Sequence, residues 1–348
     1  MQRRFGSARR FLLNYRAKSG SLPIKLGWIP YWNLRPLRIE IQKSAGGSLE
    51  WIKGHPTKVN RLMREDEILA APCSSVNLLL SQNLFMALPL GVACDGNVDS
   101  VYLGIKNEVS SVSNYVNSRS TQLKEIVSTA VNQSFGDLRV AGDRIWQQTE
   151  RSEFKPTSKT PQIKFSKRSA TGNTLAKLFF RLNFGDESYL RATDQKITVD
   201  TESKSMQYEL LIGDEALKKR SEFEHIVDLG QWWKNVTGLP FVYAVWQRGQ
   251  HTLSPARKKL IFEAASLAQA KMHVDPTDYY LAECPVDTNG DQISLDNYWR
   301  KIRYRLHDLD FKALALFLSL SRNALHCNLE DSFIVRMNRW DEFRQTLS

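Results

Sequence analysis

The side chains best suited to chemistry in this chain are amides, hydroxyls and carboxylates at the ends of apolar runs. Histidine and cysteine are poor candidates. The six histidines show no HExxH or HxH spacing. The four cysteines, Cys73, Cys94, Cys284 and Cys327, form no CxxC pair. One adjacent pair, His326-Cys327, is too little for a metal site, so no metal and no other cofactor is expected. Asn33 follows the alternating stretch Ile24 to Trp28. Ser74 and Ser75 follow Ile68-Leu69-Ala70-Ala71-Pro72. Ser100 opens the run to Ile105, and Gly213-Asp214-Glu215 follows Leu210-Leu211-Ile212. Such groups orient a polar ligand or move a proton. Each also has a plainer reading. Asn33 before Leu34-Arg35-Pro36 suits a turn or cap. Ser74-Ser75 supply N-cap chemistry, and Ser100 suits a strand start. Asp214-Glu215, at a helix N-terminus, read as dipole partners rather than an acid-base pair.

The elements that must hold these residues alternate between strand and helix. Strands are expected at 24–28, 68–71, 100–105, 208–212 and 239–246. Pro36 opens a helix, since proline is tolerated in a first turn. A helix runs from Val76 to Leu80, and another from Thr174 to Phe184, stopped by Gly185. Ser254-Pro255 begins a further helix as N-cap and first residue, with Leu260, Ala264, Leu267 and Ala268 on its buried face. More helices are expected at 276–283, 292–306 and 309–323. Residues 106–160 are polar and read as an insertion, with a helix possible over 121–135 and a linker over 151–161. The stretch from Leu210 to Trp246 reads as two buried strands side by side, joined through a ligand-facing turn. Trp232-Trp233 read as packing, and Thr237-Gly238 as a tight turn. This alternation predicts an α/β architecture.

Composition limits the partners. No apolar run nears the ~18 residues that span a bilayer. Net charge is +11, but six basic residues and no acid lie in residues 1–21. That arm reads as a disordered tail, so the charge makes no case for nucleic acid. Phe11-Leu12-Leu13 is too short for a secretory core. A cytoplasmic protein with reduced thiols is expected. The sequence leaves oligomeric state open.

Several separated blocks carry a resemblance. They are Tyr31-Trp32-Asn33-Leu34-Arg35-Pro36-Leu37, Gly54-His55-Pro56 through Asn60, Ser74-Ser75, Leu88-Pro89, and Asp95 through Val101. Ile212-Gly213-Asp214 through Leu217, Asp228 through Val242, and Tyr304-Arg305-Leu306 with Ala313-Leu314 and Phe317 complete the set. In this order and spacing the chain resembles the chorismate dehydratase family of the futalosine route to menaquinone. The resemblance implies a two-lobed type II periplasmic-binding-protein-like fold with a ligand cleft between the lobes. Lobe 1 would be residues 22–103 and 248–348, with C-terminal helices packed on it, and lobe 2 residues 104–247. The crossings would lie near 103 and 247.

The same resemblance implies loss of water from chorismate, giving 3-[(1-carboxyvinyl)oxy]benzoate. Asn33 and Ser100 become the catalytic candidates. Ser74, Ser75, Ser169, Thr171, Gly172, Gly213 and Asp214 become the substrate-binding ones. The substrate is a dicarboxylate, and helix N-termini bind carboxylates through free N–H groups. A substrate carboxylate acting as its own base fits the absence of histidine at Asn33 and Ser100. The chain departs from the family pattern in one loop. Ser169-Ala170-Thr171-Gly172 keeps two hydroxyls but lacks the family's arginine, and Arg168 lies one position earlier. Leu69 stands where the family carries an acid. Two other readings remain open: a non-catalytic protein binding small carboxylates on the same fold, and the sister dihydroxynaphthoate synthase.

Overall fold

In a computed structural model the described residues are 23–81, 84–106, 116, 120–121, 123–125, 127–128, 135–149, 162–185, 191–192, 207–279, 289 and 292–325. The basic arm at 1–21, the linker at 151–161 and residues 280–283 of the expected helix at 276–283 lie outside them, while Thr277–Tyr279 form a 3-10 turn.

Two sheets share one strand order. In the first, β1 (Ile24–Trp28) pairs parallel with β2 (Leu49–Lys53). On its other side β1 bridges to Ala70, where the Gly27 N–H donates to the Ala70 carbonyl at 2.9 Å. That contact brings in β3 (Ala71–Ser74), which pairs antiparallel with β10 (Phe241–Arg248). Next comes β4 (Phe85–Cys94), antiparallel to β10, with β11 (Ile302–Arg305) at the edge. The second sheet runs β7 (Arg191–Ala192), β6 (Gln162–Lys164), β8 (Gln207–Ile212), β5 (Val101–Lys106), β9 (His225–Asp228). Its first three strands are parallel, and β5 is antiparallel to both neighbours. In each sheet the central antiparallel strand, β10 or β5, is the one the chain enters after leaving the other sheet, and β11 adds a second antiparallel strand at the edge of the first.

This pairing moves two expected boundaries. Positions 103 and 247 fall inside β5 and β10, which belong whole to the second and first sheets. The passages lie instead at 95–100 and 238–240. The strands ending at Ile212 and Trp246 are therefore not neighbours: β8 and β10 stand in different sheets. Gly238 makes the second passage, capping its helix at φ 71°, a conformation glycine adopts freely.

The helices cover the sheets. Among the described residues the α-helices include, in chain order, α1 (Arg35–Ala45), α2 (Pro56–Arg64), α3 (Asn77–Leu80), α4 (Phe135–Thr149), α5 (Ala170–Phe184), α6 (Asp214–Lys219), α7 (Leu229–Thr237), α8 (Pro255–Val274), α9 (Leu295–Arg300) and α10 (Asp308–Ala324). Helix α8 packs on α1 beside the first sheet, and α10 packs on α4, α5 and β10. Phe317 of α10 meets Phe241 with ring centroids 4.9 Å apart, and Trp233 joins them at 5.3 Å from Phe241. Trp232 and Trp233 are both buried. The expected helix over 292–306 splits into α9 and β11, because buried Ile302 and Tyr304 alternate with less buried Arg303 and Arg305. Among the described residues no helix is long and apolar enough to cross a membrane.

Candidate functional site

The turn after β1 is built by its backbone. Tyr31 N–H returns to the Ile29 carbonyl at 2.8 Å, and a single 3-10 turn over Trp32–Leu34 leads into α1, with Pro36 in its first turn. Two side chains from the C-terminal part of the chain lock this turn. Trp299 Nε1 donates to the Trp32 carbonyl at 2.9 Å, and the Tyr304 hydroxyl to the Asn33 carbonyl at 2.7 Å. Asn33 is thus held by its main chain. Its side-chain Oδ1 is buried with no hydrogen-bond partner, and so is the Tyr31 hydroxyl. Buried polar atoms are nearly always paired, so these orphans mark places for water or a ligand.

Facing this turn is the end of β8. Gly213 has φ 64°, which a side-chain-bearing residue rarely adopts, and the Tyr31 ring lies against its open face. Gly213 N–H donates to the Ser100 carbonyl at 2.7 Å. The next residue, Asp214, accepts the Trp32 N–H on Oδ1 at 3.0 Å, joining the second sheet's lobe to the first. Ser100 is itself buried, and its Oγ accepts the Tyr298 hydroxyl at 3.1 Å. Gly213 and Asp214 are thus bonded to the Ser100 carbonyl and the Trp32 N–H at the seam between lobes, and Asn33 follows Trp32 in the chain.

A second contact crosses the seam beside α3. Val76 N–H donates to Thr171 Oγ1 at 3.3 Å. Thr171 and Gly172 lie in the first turn of α5, whose N-cap Ser169 accepts the Gly172 N–H at 3.0 Å. Gly172 packs tightly; a Cβ there would lie 2.4 Å from Ile212 Cδ1. The two expected serines do different work. Ser75 Oγ donates to the Val242 carbonyl at 2.6 Å, stapling β3 to β10. The Ser74 carbonyl takes Gln247 Nε2 at 2.9 Å. Arg168 stays largely exposed, its guanidinium 3.9 Å from the Glu215 carboxylate.

The local charges are uneven. Burial pushes the Asp214 carboxyl up to about 6, against the opposing pull of the Trp32 N–H, Lys218 and Arg168. Its neighbour Glu215 goes the other way. Burial there is outweighed by Lys219, bonded at 2.7 Å, and the carboxyl is held below its usual range. Burial raises the Tyr298 and Tyr31 hydroxyls, so both remain neutral donors at ordinary pH. A separate cavity of about 390 Å³, lined by Asp95, Pro240, Arg303, His307 and Leu309, opens beside the passages between sheets and contains none of the expected site residues.

Tyr298 and Trp299 stand outside the expected site, and Tyr304 enters the sequence reading only within the Tyr304-Arg305-Leu306 block. The signal is the aromatic pair Tyr298-Trp299 followed by alternating Ile302 and Tyr304, all buried in a segment otherwise rich in charge.

Comparison with known proteins bears on family and fold. A family model described as menaquinone biosynthesis matches residues 24–133 and 139–323. The protein CA3427 of Candida albicans, described as having the generic periplasmic binding protein fold, aligns over 91% of this chain and 95% of its own. Identity is 10% and the TM-score 0.52, which speaks to fold alone. The aliphatic sulphonate binding protein SsuA of Escherichia coli aligns over 91% of this chain and 92% of its own, at 10% identity and TM-score 0.49. AF1704 of Archaeoglobus fulgidus aligns over 94% and 100%, at 12% identity and TM-score 0.45. No curated protein sequence matches the chain.

Proposed function

We propose that this chain, which belongs to the menaquinone biosynthesis family, is a chorismate dehydratase, forming 3-[(1-carboxyvinyl)oxy]benzoate and water. The observation that carries this reading is the polar cluster at the lobe seam. It gathers Asn33, Ser100 and Asp214 from both sides of the match, with the buried Asn33 Oδ1 unpartnered.

The reaction asks little of covalent chemistry. A ring C–H bond and the neighbouring C–O bond break, and the electron pair left behind completes an aromatic ring. The protein must select one conformer, remove a proton and let hydroxide leave as water. Asn33 and Ser100 would orient the ring hydroxyl and a carboxylate from opposite sides of the seam. The substrate's own carboxylate serves as base. Val76 N–H and Thr171 Oγ1, bonded to each other across the seam, form a second polar edge that latches the lobes together around the substrate.

Purified protein is incubated with chorismate and the products followed by chromatography and mass. Loss of one water with appearance of the enolpyruvyl benzoate is the expected outcome. Binding of chorismate without turnover favours a non-catalytic carboxylate-binding protein. Absence of both binding and turnover overturns the substrate assignment.

A further inference from the structure

We propose that Asp214 is the acid that protonates the departing hydroxyl, and that lobe closure brings it into place. This rests on the dehydratase reading above. The geometry begins with the Trp32 N–H to Asp214 Oδ1 bond at 3.0 Å, which spans the two lobes and exists only when they are together. Asp214 is one peptide unit from the Gly213 N–H that binds Ser100, and its acceptor bond goes to the residue before Asn33. One carboxyl is thus tied to both sides that hold the ring. The Tyr31 ring lies against Gly213 on that flank.

The adjacent carboxylates are driven apart by their surroundings. Glu215 is neutralised as an ion-pair partner of Lys219, with Arg168 nearby. Among the described residues Asp214 makes no such ion pair, and partial burial keeps a proton on its carboxyl to higher pH. Two neighbouring acids pushed in opposite directions is the usual signature of divided acid and base roles. The groups facing Asp214 are Tyr31 on the turn after β1, Arg168 before α5, Lys218 and Glu215 on α6, and Tyr298 on α9. Arg168 and Lys218 favour the carboxylate. A bound substrate dianion opposes them, because a like charge raises a carboxyl pKa. The complex therefore holds more of Asp214 in its acid form than the free protein does.

The step balances. The ring proton passes to the substrate's own carboxylate, and the C–H electron pair becomes the new ring double bond. The C–O bond breaks with its pair on oxygen, and the Asp214 proton joins it as water. Asp214 is left ionised beside a newly protonated product carboxyl, whose proton restores the acid as product leaves. The second oxygen of Asp214 does this work while Oδ1 stays on the Trp32 N–H.

Asp214→Asn tests the assignment. The amide oxygen still accepts the Trp32 N–H, but the group has no acid proton to give. Turnover is expected to fall by about 100-fold or more, the range typical of a general acid, with chorismate binding changed little. In the unaltered protein kcat falls as pH rises through the Asp214 pKa of the complex; in Asp214→Asn that descending limb is lost. Asp214→Glu restores the limb and part of the rate. The proposal is overturned if Asp214→Asn keeps wild-type kcat, or retains the descending limb. It is equally overturned if both variants lose binding and turnover together, as a purely structural residue would. A wild-type protein without dehydratase activity overturns the functional reading as well, which separates the two failures.

Discussion

Asp214 also bears on stability, with a definite sign. Its carboxyl lies at about 6 in the fold against an ordinary 3.8. A raised carboxyl favours the folded state below the unfolded pKa, and that advantage disappears as pH rises through the folded value. Near neutral pH the buried carboxylate is a burden of at most about 3 kcal/mol, reduced by what solvent still reaches it. Asp214→Asn should therefore melt higher than wild type at pH 8, with the gap closing toward pH 4. Thermal melts across that range check it, and a gap independent of pH would refute the burial argument. Asn33 makes the converse case. Its carbonyl is secured by Tyr304 and that of the preceding Trp32 by Trp299, while its Oδ1 is bonded to nothing. Removing a buried, unpaired acceptor costs little stability. Asn33→Ala should keep its melting temperature and lose turnover, and Ser100→Ala should lose turnover too. Full activity in both would put the chemistry elsewhere. At this scale the sequence picks out positions but not commitments. Ser75 and Asn33 both read as cap or turn residues; only the fold spends the Ser75 proton on Val242 and leaves the Asn33 amide unspent.

At the scale of elements, the passage from β4 to β5 hangs on one carboxylate. Asp228 Oδ2 accepts the Val98 and Asp99 N–H groups at 3.0 and 2.9 Å, and its Oδ1 caps α7 through Gln231 N–H at 3.0 Å. Asp99 is held at φ 60°, away from the ordinary regions, and pairs with Lys301. Ser100 follows immediately, so this clamp sets where its hydroxyl points. Asp228→Ala removes an N-cap and two bonds to a charged acceptor together, and should cost about 2–4 kcal/mol. Urea unfolding measures that loss, and a change under 1 kcal/mol would contradict the clamp. The stretches that sequence handled well were those with one strong local signal. Ser254-Pro255 does begin α8, with the Ser254 hydroxyl accepting the Arg257 N–H. The strand β4 is not among the expected ones; Pro89 interrupts Phe85–Cys94, and proline usually argues against a paired strand. Here β4 pairs on both sides but with irregular register, and the Pro89 carbonyl still accepts the Leu306 N–H. Such accommodation depends on distant partners and leaves no local mark.

For the whole molecule, the two-lobed plan was legible through the spaced motifs, while the exact passages were not. Each passage strand pairs only with the far sheet, so local pattern cannot say which side it joins. Two of the bonds that cross the seam are of one kind. Trp32 and Val76 offer backbone N–H groups at the starts of helical turns, and Asp214 and Thr171 answer with side-chain oxygens. Such bonds stabilise the closed arrangement and nothing in an open one, so they set how much of the ligand's affinity goes into closure. Thr171→Val keeps the side-chain shape and removes the acceptor. In the closed state Val76 N–H is then buried without a partner, a loss of about 1–3 kcal/mol that an open state avoids by using water. Closure becomes harder, and a ligand that binds the closed form loses apparent affinity in proportion. Thr171→Val should therefore raise KM for chorismate by about tenfold, with kcat at saturation less affected, while Asp214→Asn does the reverse. Steady-state kinetics on the two variants side by side distinguishes them. Equal losses in kcat for both would mean that the seam acts as one catalytic unit rather than as a separate latch and acid.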